Sequence, residues 1–163
     1  MENRQAAIEK VAELLDGARI AMLTTVTEAG ELRSRPMAMQ SIDFDGDLWF
    51  FTEANSWKIE EIDSEPEVNV AVVDTDHQRY VSLSGMAEMV RDREKIRELW
   101  SPMVKAWFPG GPDDPNLALL KVEISGAEYW DGPGSKVVQL LGIAKATLTG
   151  QKFEAGDHGT VSL

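Results

Sequence analysis

Arg33 and Arg35 are the first residues of this chain whose type and spacing suggest chemistry. They flank Ser34 in a predicted strand, and residues 32–42 contain no acidic side chain. Because side chains alternate along a strand, we expect both guanidinium groups on one face, where their forked donors can bind a phosphate. Pro36 cannot donate to a ladder, so it predicts a sheet edge or a bulge. The alternative is that both arginines pair with surface carboxylates, which are abundant here.

A second candidate anion site begins the helix that follows the next predicted strand. Phe51 and Thr52 end that strand, and Ser56 and Lys58 lie in the first helical turn. A helix N-terminus offers free N–H groups and a partial positive charge. The Asp-Gly-Asp turn at 45–47 predicts a hairpin that lays this strand beside the two arginines, which would unite both elements in one phosphate site. The alternative is that Ser56 only caps the helix and Lys58 is only solvated.

Two tryptophans occupy positions where an indole ring could meet a ligand or a partner chain. Trp107 ends a predicted helix, and Trp130 ends a predicted strand just before a turn. An exposed ring at such an edge serves packing, an interface or a ligand.

Several common kinds of site are disfavoured by what the sequence lacks. Cys is absent and the only histidines are His77 and His158, so we expect no metal site, no disulfide and no thiol nucleophile. The sequence contains no P-loop, no Gly-x-Gly-x-x-Gly fingerprint and no Gly-x-Ser-x-Gly elbow. No catalytic residue can be named from the sequence.

The pattern of helices and strands that must position these residues predicts one domain over residues 1–163. Apolar spacing predicts an N-terminal helix over 1–17 and a C-terminal helix over 135–148, followed by a polar tail over 150–163. Six strands are predicted, with a bulge at Gly85 in the fifth and with the fourth buried on both faces: 19–27, 32–44, 48–52, 68–73, 78–90 and 117–130. Tight turns between the strands favour an α+β, mainly-β fold, in which a six-stranded antiparallel barrel carries peripheral helices.

Length and charge narrow the class of protein. The 163 residues carry 16 basic and 28 acidic side chains, a formal net charge of −12. This charge disfavours nucleic acids and anionic membranes as partners, because both attract basic surfaces. No long apolar run predicts a signal peptide or a membrane span, so we expect a cytoplasmic protein.

An ordered set of short motifs resembles the general stress protein branch of the pyridoxamine 5'-phosphate oxidase-like, FMN-binding split-barrel superfamily. The matching stretches are Arg33-Ser34-Arg35-Pro36-Met37, residues 45–52 (DGDLWFFT), Ser56-x-Lys58, residues 80–85 (YVSLSG), Leu99-Trp100, Trp107-Phe108-Pro109 and residues 127–131 (AEYWD). Each motif alone is short, whereas their shared order is specific.

The resemblance implies a six-stranded split barrel that forms a homodimer, with FMN held between the subunits. FAD or a deazaflavin is the alternative cofactor. By the same resemblance, the residues assigned to the cofactor are Arg33, Ser34, Arg35 and Pro36 on the ribityl-phosphate side, Thr52, Ser56 and Lys58 around the phosphate, Phe51 beside the polar chain, and Trp107 or Trp130 near the flavin ring.

The resemblance leaves two functions open. One is a flavin-dependent oxidoreductase of unknown substrate, with a reduced nicotinamide as a candidate electron donor. The other is a stress protein that binds, sequesters or senses flavin without turnover. True pyridoxamine 5'-phosphate oxidases carry a basic, histidine-containing C-terminal motif, whereas the tail here has only Lys152 and His158 and no Arg-x-His pattern. Oxidation of vitamin B6 is therefore not predicted.

Overall fold

The helices and strands of the chain are described by a computed structural model over residues 2–132, 136–152 and 156–163. The helices are α1 (Glu2–Leu15), α2 (Trp57–Ser64), α3 (Arg93–Leu99), α4 (Pro102–Trp107) and α5 (Lys136–Thr149). The strands are β1 (Ile20–Val26), β2 (Leu32–Ala38), β3 (Asp47–Glu53), β4 (Glu67–Asp74), β5 (Arg79–Val90), β6 (Leu117–Asp131) and β7 (Asp157–Ser162). The predicted α+β, mainly-β class is confirmed.

A single antiparallel sheet contains the seven strands that the structure describes, in the order β2-β1-β4-β5-β6-β3. β7 also pairs with β6, along Gly126–Asp131, where β3 no longer runs beside it. The prediction of six strands is therefore wrong, because the polar tail contributes a seventh. Within the described residues the hydrogen-bonded path ends at β2 and at β3, and the sheet is not closed.

The predicted hairpin between β2 and β3 is also wrong. Asp45 does form a local turn, in which its carboxylate accepts a hydrogen bond from the amide of Asp47 at 3.2 Å. However, β2 pairs with β1, and β3 pairs with β6. Long-range pairing, not the local turn, decides which strands are neighbours.

The main hydrophobic core lies on the inner face of the sheet. Leu23, Val70 and Leu83, from neighbouring strands, are fully buried there beneath α1 and α2. A second cluster lies on the other side of β3, where Phe51 packs against α3 and α4. Burial of these side chains, at about 25 cal/mol per Å² of apolar surface, is the main force that holds the helices on the sheet.

The outer face of the sheet is open and partly apolar. Its exposed apolar side chains are Ile20, Met22, Leu32, Val73 and Met86. The prediction that the fourth strand is buried on both faces is wrong, since Val73 is 62% exposed while Val70 is fully buried. The predicted bulge is confirmed by a register shift between Ser84 and Gly85.

The predicted C-terminal helix is present as α5. Ser135, the residue at which we expected it to begin, lies outside the described residues. β7 follows α5, and its Val161 packs against the edge of the main core. No helix in the described part of the chain is long and apolar enough to cross a membrane.

Candidate functional site

Strand β2 presents both arginines on one face, as predicted, and that face is the inner side of the sheet. Register with β1 places Arg33 opposite Thr25 and Arg35 opposite Leu23, while Ser34 faces the other way and its hydroxyl lies 2.7 Å from that of Thr24. Pro36 is exposed, and β2 ends the sheet order, as its missing N–H predicts. The strand therefore brings two guanidinium groups to an open edge.

Both arginines contact one carboxylate, that of Glu61 on α2. Arg33 Nη1 lies 3.0 Å from Oε1, and Arg35 Nη2 lies 3.1 Å from Oε2. The alternative prediction of arginine–carboxylate pairing is thus correct for these contacts. Each arginine uses only one of its nitrogens on Glu61, so further N–H donors remain for a second anion.

The buried side chain of Thr25 links Arg35 to Glu61 by hydrogen bonds. Its fully buried hydroxyl donates to Glu61 Oε2 at 2.5 Å and accepts from Arg35 Nη1 at 2.7 Å. The hydrogen bond from Thr25 and the positive charges of Arg35 and Arg33 hold the pKa of Glu61 below its ordinary value, against the opposing effect of burial. Glu61 is therefore ionised at neutral pH.

The N-terminus of α2 completes the charged region. Lys58 Nζ donates to Ser56 Oγ at 3.1 Å, and the buried Thr52 hydroxyl lies 3.5 Å from the same oxygen. Ser56 occupies the N-cap position, but its side chain makes no capping hydrogen bond. The predicted role of Ser56 as a simple cap is therefore not observed.

The other two helix N-termini with described caps differ from that of α2. Asp92 accepts hydrogen bonds from the amides of Glu94 and Lys95, and Ser101 accepts one from the amide of Val104. The first turn of α2 has no such side-chain acceptor, so its backbone N–H groups can donate to an anion.

Lys58 lies close enough to Arg35 for the two charges to interact. Burial, and then the positive charge of Arg35, lower the pKa of Lys58, while the nearby Glu53 raises it. Together, Thr25, Arg33, Arg35, Ser56, Lys58 and Glu61 form what we name the cationic cluster. Its three cations exceed the two carboxylates that act on them, those of Glu61 and the nearby Glu53, so the cluster favours an added anion.

The packing of α2 positions this cluster. Ile59 and Ile62 are buried and anchor the helix over β1 and β5. Lys58 and Glu61 are three residues apart, so they project from adjacent positions of the helix surface towards β2. The two predicted anion-binding segments, strand β2 and the start of α2, do lie close together. Contacts of β2 with α2 and β1 bring them together, and no β2–β3 hairpin is involved.

Phe51 and Trp107 lie in a different environment. The ring of Phe51 is buried in the second core cluster, 5.9 Å from the ring of Trp100 and 6.2 Å from that of Phe108. Trp107 ends α4 and is 73% exposed. Neither ring has a described contact with the cationic cluster, so the structure does not bring Phe51 or Trp107 of this chain to that site.

Trp130 lies at the far end of the outer face, where one side of its ring is already covered. The His158 ring from β7 stacks on it, with centroids 5.1 Å apart and planes 9° apart. His158 Nε2 also lies 3.1 Å from a carboxylate oxygen of Glu128. The indole keeps 41% exposure on its remaining side.

Two residues of the cluster, Thr25 and Glu61, were not singled out from the sequence. The sequence could have indicated Glu61, because it lies three positions after Lys58 on a predicted helix and so on the same side of that helix. Thr25 had none, since threonine is ordinary in a strand and only the pairing of β1 with β2 brings it beneath Arg35.

The cationic cluster lines neither of two larger depressions in the described surface. One, of about 470 Å³, lies between the end of α1 and the loop after β2, beside Arg19, Ile42, Phe44 and Trp49. The other, of about 550 Å³, lies on the outer face beside Leu32 and Met86. If the cluster binds one end of a ligand, another surface would be needed to cover the rest of that ligand.

In the described residues, no three His, Asp or Glu side chains are grouped to hold a metal ion.

Comparison with known proteins agrees with the fold. The family described as "Pyridoxamine 5'-phosphate oxidase like" matches residues 6–154. General stress protein 26 of Bacillus subtilis (strain 168) is 31% identical over 126 residues, covering 74% of this chain and 86% of that protein.

Solved structures give the same relationship. A crystal structure from Jannaschia sp. CCS1, described as a general stress protein 26, has a TM-score of 0.78, 30% identity and 100% coverage of both chains. The general stress FMN/FAD binding protein of Xanthomonas citri has a TM-score of 0.67 and 32% identity, covering 78% of this chain and 89% of that one.

Proposed function

The chain belongs to the pyridoxamine 5'-phosphate oxidase-like family, in its general stress protein group, and we propose that it binds FMN through the cationic cluster. One observation carries the proposal. Arg33 and Arg35 contact Glu61 of α2, and Arg35 acts electrostatically on Lys58, which lies at the helix N-terminus that lacks a side-chain cap.

The residues of the cluster fit a phosphate group. Arg33 is about half exposed and has donors left after its contact with Glu61, and Lys58 adds an ammonium group beside the Ser56 hydroxyl. Charge-assisted hydrogen bonds from such donors are about twice as strong as neutral ones. Thr52 and Ser56 would hold the ester side of the same phosphate. Ser34 and Pro36 lie on the other face of β2, so the structure does not bring their side chains to it.

FMN is preferred over riboflavin or FAD on the grounds of charge. A terminal phosphate monoester carries close to two negative charges at neutral pH, whereas riboflavin has no phosphate and the diphosphate of FAD lies within a longer chain. The cluster offers one compact group of donors, which suits one phosphate. The FMN/FAD binding protein of Xanthomonas citri supports flavin as the cofactor class.

A homodimer would supply the surface that the cluster lacks. The cluster lies at the edge strand β2, outside both depressions of the described surface, so a flavin ring would remain exposed on a single copy. The apolar outer face, including Ile20, Val73 and Met86, gives a second copy something to bury. We further infer that β1–β6 form the split barrel, since β2 and β3 approach each other at the ends of the sheet.

When bound, the flavin supplies the electron transfer. Arg35 and Lys58 would bind the phosphate. Thr25 would orient the Arg35 guanidinium group and Ser56 the Lys58 ammonium group, and the chain would keep the flavin ring in a partly dry cleft. We propose an oxidoreductase with a reduced nicotinamide as donor. Oxidation of vitamin B6 is not proposed, because the tail has no Arg-x-His pattern and its one histidine, His158, contacts Trp130 and Glu128.

The experiment has two stages. The purified protein is first examined for flavin absorbance, and the released cofactor is identified by mass spectrometry. The FMN-loaded protein is then mixed with NADH or NADPH without oxygen. Bleaching of the flavin band supports the oxidoreductase, whereas a flavin that stays oxidised with both donors favours the binding or sensing role. Failure to bind added FMN contradicts the whole proposal.

A further inference from the structure

Helix α5 presents large apolar side chains to solvent. Leu140, Leu141 and Leu148 are 67%, 66% and 87% exposed, and Ile143 is 48% exposed. Among the elements that the structure describes, α5 has no extensive packing partner. A helix with this much exposed apolar surface is typical of an interface, because a water-facing helix normally carries charged or polar side chains on that side.

Two threonine hydroxyls of α5 need no hydrogen bond from solvent. The hydroxyl of Thr147 donates to the carbonyl of Ile143 at 2.9 Å, and that of Thr149 donates to the carbonyl of Lys145 at 2.8 Å. Both hydroxyls are therefore satisfied within the helix, and their methyl groups add to its apolar surface.

The charge of this segment is opposite to that of the rest of the chain. Residues 136–152 contain three lysines and no acidic residue, so they carry +3. The remainder has 13 basic and 28 acidic side chains, a net charge of −15. The segment is thus complementary in charge to the body of the molecule that bears it, and equally to the body of a second copy.

The outer face of the sheet has the matching composition. It combines the exposed apolar side chains of Ile20, Met22 and Val73 with the exposed carboxylates of Glu67 and Glu128. An apolar helix with flanking lysines can bury its leucines on such a face and direct its ammonium groups to these carboxylates.

We infer that α5 of one protomer docks on the outer face of a second copy of this chain and is exchanged between the two subunits. The inference rests on the homodimer proposed above and adds the surface that holds it together. In this arrangement each copy covers the open sheet of the other, and one interface buries both unpartnered apolar surfaces of the chain.

The first test is the oligomeric state by sedimentation velocity. Leu140→Glu places a charge in the proposed interface, and Met103→Glu is the matched control, because Met103 is 69% exposed on another helix. We expect a dimeric wild type, a dimer dissociation constant raised on the order of tenfold or more by Leu140→Glu, and no change with Met103→Glu. Equal behaviour of the two variants overturns the inference.

The second test distinguishes docking between copies from docking within one copy. The native chain has no cysteine, so Leu148→Cys carries one unique thiol for a benzophenone crosslinker. Labelled protein is refolded from an equal mixture of ¹⁴N and ¹⁵N chains, irradiated and digested. Mixed-isotope peptide pairs that join α5 to outer-face strands support the inference, and pairs of one isotope only overturn it.

The outcomes also separate this inference from the flavin proposal. A wild-type dimer that is weakened by Leu140→Glu but binds no FMN supports the docking of α5 and contradicts flavin binding. An FMN-loaded monomer at tens of micromolar contradicts both the homodimer and the exchange of α5 but leaves FMN binding intact.

Discussion

The Glu61 carboxylate on α2 lies 3.1 Å from the Arg35 guanidinium on β2, and this contact links the helix to the edge strand of the sheet. It joins an anion and a cation that are 26 residues apart in sequence. Because the Arg35 side chain is only 20% exposed, the pair is partly shielded from water and is worth more than an exposed ion pair. The contact also fixes the orientation of the Arg35 guanidinium group.

Replacing Arg35 with alanine should weaken FMN binding. A lost charge-assisted hydrogen bond costs about 1.5–3 kcal/mol, which corresponds to roughly a tenfold to hundredfold rise in the dissociation constant. Quenching of flavin fluorescence measures the affinity. Riboflavin affinity should change much less, because riboflavin has no phosphate for Arg35 to hold.

The matched control for Arg35→Ala is Arg97→Ala. Arg97 is an exposed arginine that pairs with Asp113, and neither belongs to the cationic cluster. Its removal should leave FMN affinity unchanged. If both variants bind FMN like the wild type while remaining folded by circular dichroism, the assignment of the phosphate to Arg35 is wrong.

Replacing Glu61 with glutamine should alter stability on the acid side. The pKa of Glu61 is lowered in the folded state, so its contribution to stability is complete above the ordinary glutamate pKa of about 4.3 and is lost as the pH falls through the lowered value. Glu61→Gln should therefore be less stable than the wild type at neutral pH, and the difference should shrink in acid. Urea denaturation at a series of pH values measures this.

The neighbouring Glu60→Gln gives the comparison for that series. Glu60 is exposed on α2, so its replacement should shift the denaturation midpoint little at any pH. A Glu61→Gln difference that stayed constant from neutral pH to acid would mean that the carboxylate does not act through its charge.

Replacing Lys58 with methionine should stabilise the protein without ligand while weakening its hold on FMN. Burial lowers the pKa of Lys58, which means that folding disfavours the charged form of this side chain. The cost is present below the folded pKa and disappears as the pH rises towards the ordinary lysine pKa of about 10.4. The gain in melting temperature should therefore be largest at neutral pH and decline in alkali; a lower melting temperature at neutral pH contradicts it.

Replacing Gly85 with alanine should destabilise the sheet. A Cβ atom at this position would overlap the backbone carbonyl oxygen of Glu123, which cannot move without breaking the β5–β6 ladder. Overpacking of this kind typically costs about 1–3 kcal/mol. Gly126→Ala on β6 is the comparison, because its Cβ would lie 3.2 Å from the Val161 carbonyl and needs only a small shift. Equal unfolding free energies for the two variants would contradict this reason.

Local sequence patterns predicted most of the elements. Alternating apolar residues identified β1 to β6 to within a few residues, except that the second strand ends at Ala38 and not near residue 44. β7 was missed because its residues are mostly polar and exposed. β7 forms because the part of β6 that extends beyond β3 has free backbone N–H and C=O groups with which it can pair. Such backbone pairing cannot be predicted from the alternation of side chains.

The candidate site was predicted in its residues but not in its assembly. Strand alternation alone places Arg33 and Arg35 on one face, and helix-start residues alone identify Ser56 and Lys58. The hairpin that was expected to unite them does not form. Their meeting depends on α2, whose Ile59 and Ile62 are buried in the core beneath the sheet.

By itself the sequence determined the charge, the absence of cysteine, the shared face of Arg33 and Arg35 and the family to which the chain belongs, because these depend on residue types and short spacings. Only the tertiary structure decided that Glu61 and Thr25 bind the arginines and that Ser56 leaves the first turn of α2 uncapped. The physical reason is that these contacts join β1, β2 and α2, which long-range pairing and core burial bring together. No local pattern encodes which distant segments will share a core.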